Sequence, residues 1–111
     1  MARVSLRLKF DGDRLIGPGR IRLLELIAAT GSISAAGREM EMSYRRAWLL
    51  IDDLNRSFKE PLVAKQLGGV GGGGAILTPL GAEIVRRYRK IEAHVITESR
   101  ADLRAIERAL A

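Results

Sequence analysis

Residues 3–9, Arg-Val-Ser-Leu-Arg-Leu-Lys, alternate polar and apolar with a period of two. Val4, Leu6 and Leu8 then share one face and Arg3, Ser5, Arg7 and Lys9 the other, the pattern of a half-buried strand. Asp11-Gly12-Asp13 supplies turn chemistry, and Gly17-Pro18-Gly19 breaks the chain again, with Pro18 suited to the first turn of a helix. From Arg20 to Thr30 the apolar residues Ile21, Leu24, Ile27 and Ala28, widened by Leu23 and Leu26, keep helical spacing. Gly31 is placed to stop this first helix.

Ser32 follows as the N-cap of a short second helix carrying Ile33, Ala36 and Met40, and Ser43 caps a third helix running to about Phe58. In that third helix Ala47, Ile51 and Leu54 fall on one face, so Tyr44, Arg45, Trp48 and Leu49 project elsewhere. Pro61 ends the helical region. Leu62 to Leu67 and Ala75 to Thr78 are short strand candidates joined by Gly68-Gly69-Val70-Gly71-Gly72-Gly73-Gly74, a loop expected to be too flexible to pack. Thr78-Pro79 opens a long helix with the stripe Leu80, Ile84, Tyr88, Ile91 and Val95, which Ile96, Leu103, Ile106 and Leu110 continue after an expected break near Thr97 to Ser99.

The order helix, short helix, third helix, glycine-tipped hairpin, long helix predicts a mainly α fold with a small β component: a winged helix-turn-helix plus a long C-terminal dimerisation helix. One domain is expected over residues 1–111, with the helix-turn-helix at 32–58, the wing at 62–78 and the C-terminal helical segment at 79–110. With 47% hydrophobic and 29% charged residues, the composition is that of a folded globular chain. No apolar run of about 18 residues or secretory leader is apparent, so no membrane partner and a cytoplasmic location are expected. The chain has no cysteine and one histidine, His94, which rules out disulfides and thiolate metal ligands and makes a metal or other cofactor improbable.

Nineteen Lys+Arg against thirteen Asp+Glu give a net charge of +6, which attracts polyanions without naming one. Position decides more. In a helix-turn-helix the third helix enters the DNA major groove with its first residues nearest the base edges, and Ser43, Tyr44, Arg45 and Arg46 sit there. Either arginine can donate a bidentate pair to guanine or clamp a phosphate. Ser32 and Ser34, beside the free N–H groups of the second helix, are candidate phosphate contacts, and both are also simple capping residues. Trp48 lies one turn from Tyr44; a contact with DNA and packing into a core are both open to it.

Gly69 to Gly74 formally satisfies G-x-G-x-x-G, but a strand and not a helix follows, so a nucleotide cradle is not expected. A wing fits better, with Lys65, Gln66, Gly71, Gly72 and Gly73 approaching the sugar-phosphate chain. His94 has no nucleophile near it in sequence, and Asp52 and Asp53 point about 100° apart on a helix. No catalytic constellation is found. The terminal stripe Leu80, Ile84, Tyr88, Ile91, Val95, Ile96, Leu103, Ile106 and Leu110 exceeds what a small core covers, so pairing with the same helices of a second subunit is expected.

The segments Gly31-Ser32-Ile33-Ser34-Ala35-Ala36, Ser43-Tyr44-Arg45-Arg46-Ala47-Trp48, Gly68 to Ala75 and Leu77-Thr78-Pro79-Leu80-Gly81 resemble the N-terminal DNA-binding domain of ModE-type, LysR-like molybdenum regulators. The resemblance implies a homodimer joined by its terminal helices, double-stranded DNA as partner, the third helix reading bases and Lys65 to Gly74 forming the wing. Members of that family carry molybdate-binding domains after this one; none follows here before Ala111, so no small-molecule effector site is expected. Two positions depart from the family: Glu41 stands in the turn where glycine is usual, at a cost of about 1 kcal/mol if φ must be positive, and Val70 stands where a basic wing residue is expected.

The expected function is sequence-specific, double-stranded DNA binding by a transcriptional regulator, with molybdenum or oxyanion metabolism implied by the resemblance alone and no enzymatic activity. The alternatives are a winged-helix protein-interaction module without DNA binding, and charge-driven binding without sequence preference.

Overall fold

The computed structural model describes residues 2–66 and 74–111 of the chain. The N-terminal segment forms a small antiparallel hairpin, β1 (Leu8–Phe10) with β2 (Arg14–Ile16), in the register Leu8↔Ile16 and Phe10↔Arg14. Expected strand residues 3–7 keep their alternating burial but are unpaired, because β2 ends where Gly17-Pro18 starts a helix. The second strand was not expected. Its signal was Asp11-Gly12-Asp13, where Gly12 and Asp13 take φ values of 75° and 61° in the reversal.

Helix α1 (Pro18–Thr30) is the centre of the molecule and buries Ile21, Leu23, Leu24, Leu26 and Ile27. Gly31 ends it in the left-handed region, φ 70°, a conformation in which its own N–H closes on the Ile27 carbonyl at 2.8 Å. Helix α2 (Ile33–Glu39) and helix α3 (Tyr44–Ser57) follow, each with a serine N-cap as expected: Ser32 accepts from Ala35 N–H and Ser43 from Arg46 N–H, both at 3.1 Å. Small side chains let the two helices cross closely. Gly37 of α2, buried, lies against buried Ala47 of α3, with its Cβ position 3.3 Å from the Ala47 Cβ. Glu41, in the turn between them, adopts φ 55°, the strained conformation that its place in the turn predicts.

Strand β3 (Val63–Gln66) pairs antiparallel with β4 (Gly74–Leu77), Val63 opposite Leu77 and Gln66 opposite Gly74. Leu67 to Gly73, including the expected contact residues Gly71, Gly72 and Gly73, lie outside the described residues. Thr78 is not a strand residue because it caps helix α4 (Pro79–Glu98), accepting from Gly81 N–H at 3.0 Å. A bridge between Ser32 and Gly74, with Ala75 N–H bonded to Gly31 O at 2.9 Å, seats the wing root on the corner between α1 and α2.

Ser99 marks the expected break, after which helix α5 (Arg100–Ala109) runs with no buried residue. The core is closed by Tyr88 of α4, 2% exposed, whose hydroxyl donates to Leu6 O at 2.6 Å. Burial raises the pKa of this phenol above its ordinary value. Beside it Arg89 makes a bidentate pair with Glu25 of α1 (2.7 and 3.0 Å) and a third bond to Glu92 (2.7 Å). The hydrogen bonds from Arg89 hold the Glu25 carboxyl below the usual carboxylate range.

Candidate nucleic-acid interface

The expected base-reading residues occupy the N-terminal cap and first turn of α3. Ser43, Tyr44, Arg45 and Arg46 are all exposed, Tyr44 by 55%. The inward face of the same helix is fixed by Ala47, Ile51 and Leu54, all buried, so the helix has one rotational setting and the outward residues follow from it. Among the described residues neither Arg45 nor Arg46 has an acidic partner, whereas Arg20, Arg56, Arg87 and Arg89 each do. Two guanidiniums therefore stand unneutralised at the positive end of a 14-residue helix.

Trp48 is 40% exposed and so belongs neither wholly to the core nor to solvent. With Ile33 of α2 and Val63 and Lys65 of β3 it lines a small cavity of about 140 Å³ between α3 and the wing root. This places Trp48 and Lys65 beside one another; Gln66 is also exposed on the same strand. The Ser32 hydroxyl accepts the α2 cap bond, while Ser34, two residues on, is exposed.

One residue of this region was not anticipated. Asn55, inside α3, accepts from Leu62 N–H (2.8 Å) and Val63 N–H (3.1 Å) and donates to Val63 O (3.1 Å), bolting α3 to the start of β3. An asparagine within a helix is unfavourable by propensity, and that mismatch was the available signal.

The dimer-stripe residues divide. Tyr88 is buried in the protomer's own core, with its hydroxyl donating to the Leu6 carbonyl. Leu80 and Ile84 pack partly against the same core. Ile91, Val95, Ile96, Ile106 and Leu110 remain exposed, from 36% at Val95 to 72% at Leu110, and Leu103 is intermediate. His94 is exposed on α4, and among the described residues no group of three or more acidic or histidine side chains is placed to hold a metal ion. No described helix is long and apolar enough to cross a membrane.

A helix-turn-helix seated on α1, flanked by a two-stranded wing and followed by a long helix, defines the winged helix-turn-helix class. The chain belongs to the bacterial regulatory helix-turn-helix proteins of the lysR family, which residues 19–82 match. It is 45% identical over 88 residues to the molybdenum-pterin-binding protein MopB of Rhodobacter capsulatus (79% of this chain, 32% of that protein). It is 44% identical over 92 residues to the molybdenum transport protein ModE of Azotobacter vinelandii (83% and 33%). The DNA-binding transcriptional dual regulator ModE of Escherichia coli K12 is 39% identical over 87 residues (78% and 33%). The chain thus spans about a third of the length of the curated relatives it matches.

Proposed function

We propose that the chain is the DNA-binding unit of a cytoplasmic transcriptional regulator, without enzymatic activity, that reads double-stranded DNA as a homodimer. The observation that carries the reading is the exposed first turn of α3, where Arg45 and Arg46 lack acidic partners. Tyr44, Arg45 and Arg46, with Ser43 at the cap, enter the major groove. Trp48 contacts the groove wall, and Ser32, Ser34, Lys65 and Gln66 hold phosphates. The exposed residues of α4 and α5, from Ile91 to Leu110, pair with their copies across a two-fold axis, which sets two recognition helices about one DNA turn apart. The names of the relatives support genes of molybdenum metabolism as the regulated set.

Selection from a randomised duplex library at near-physiological salt tests this. Recovery of a two-fold symmetric site, lost when Arg45 and Arg46 become alanine at about 1–3 kcal/mol per bidentate contact, is the expected result. Retention that ignores sequence and disappears with salt would replace specific regulation by charge-driven binding.

A further inference from the structure

Among the described residues, the wing root faces the flank of α3 that carries Trp48 and Asp52. At 100° per residue, Trp48 and Asp52, which face the wing root, lie roughly opposite Arg46 and Leu50 around the helix. On that second flank a cavity of about 250 Å³ opens between the turn residues Met40 and Met42, the α1 start Gly17–Gly19, and three arginines, Arg7, Arg20 and Arg46. Arg7 lies over Gly17, its Nε 3.7 Å from where a Cβ would stand there, and has no acidic partner among the described residues. Arg20 bonds Asp53 through Nη2 at 3.2 Å, yet its Nη1 is buried with no hydrogen-bond partner. No acidic residue occupies the first turn of α1, and Gly17 provides no side-chain cap.

A helix lying in the major groove has a phosphate backbone along each rim. We propose that the Arg7–Arg20–Arg46 cavity is a second phosphate clamp, holding the DNA backbone on the rim opposite the wing. The inference rests on the DNA-binding reading and extends it to a part of the chain outside the helix-turn-helix and wing. Arg7 and Arg46 supply the charge-assisted bonds, which leaves Arg45 as the arginine at the base edges; Arg20, its charge shared with Asp53, lines the wall. The backbone at Gly19, with nothing within 4 Å of its Cβ position, leaves room for the phosphate to approach.

The test is salt-dependent binding of the full chain to its selected duplex and to a random duplex. Arg7→Ala should lower the slope of log K against log salt by about 0.9 per protomer and weaken both duplexes by the same factor, while Arg7→Lys retains most of the slope. Gly19→Glu adds a charge that a helix N-terminus favours, so its melting temperature holds or rises while binding falls several-fold on both duplexes. Folding failure therefore cannot mimic the effect. Either Arg7→Ala or Gly19→Glu binding like the parent protein overturns the clamp alone. If the parent retains no duplex even at low salt, the DNA-binding reading falls, and the clamp with it.

Discussion

Gly81 is where α4 meets the wing root, and replacing it by alanine should be among the most damaging single-methyl changes in the chain. A Cβ built there stands 2.2 Å from the Leu62 carbonyl oxygen, roughly 1 Å inside the closest ordinary contact. That oxygen is pinned: it accepts from Thr78 N–H at 2.9 Å, Leu62 is fully buried, and Leu62 N–H is held by Asn55 at 2.8 Å. Thr78 is fixed in turn by its own hydroxyl on Pro61 O at 2.7 Å. Relief requires the start of α4 to move, which overpacks the junction by about 1–3 kcal/mol. It also strains two hydrogen bonds worth about 1 kcal/mol each. Alanine's better helix propensity returns about 1 kcal/mol, leaving a net loss of about 2–4 kcal/mol. Urea unfolding followed by circular dichroism should then show a midpoint lower by about 1–2 M. Gly19→Ala is the control, with open space at its Cβ, and should stabilise by about 0.4–1 kcal/mol. A Gly81→Ala midpoint indistinguishable from the parent would refute the reasoning, since no rearrangement that cheap is compatible with a pinned carbonyl.

Glu41 at φ 55° should gain about 0.5–1 kcal/mol on mutation to glycine, whereas Glu41→Ala, which keeps the strain, gains nothing; thermal unfolding of the pair separates backbone strain from charge. The Glu25 pKa is depressed in the folded state, so the pair with Arg89 contributes stability that is present above the unfolded carboxylate pKa and lost as pH falls through the folded one. Glu25→Gln should therefore be less stable than the parent at neutral pH and converge with it in acid, as read from urea midpoints across the range. Ile106→Glu combined with Leu103→Glu should leave the melting of the winged domain nearly unchanged, because α5 has no buried residue, while shifting the protein to a monomer in analytical ultracentrifugation. A dimer that survives this double change would locate the interface elsewhere.

The elements that rest on local chemistry were legible in the sequence. Serine caps at Ser32 and Ser43, the stop at Gly31, Thr78-Pro79 at the head of α4 and the break at Ser99 each stand where the residue types place them, because each is decided within one helical turn. What was not legible depends on partners distant in sequence. Tyr88 belonged to a continuous apolar stripe, and only the path of residues 2–7 across α4 shows that it is spent inside the protomer. Arg7 read as the solvent face of a strand; the return of the chain through β2 carries it to the start of α1 and to Arg46, a meeting that no spacing rule encodes. Val4 and Leu6 kept their alternation without gaining a ladder partner, since periodicity reports burial and not pairing.

Asn55 turns α3 and the wing root into a gauge. Its single amide makes three bonds across to Leu62 and Val63, so the spacing between the helix and β3 is set by a side chain too short to stretch. If, as proposed, α3 and the wing grip a duplex together, the adjustment comes from the DNA: a site whose minor groove or twist does not match has to be deformed to fit. Base steps that bend or narrow easily would then be preferred at positions no side chain touches, and the stiffness of one asparagine would be written into the sequence of the operator.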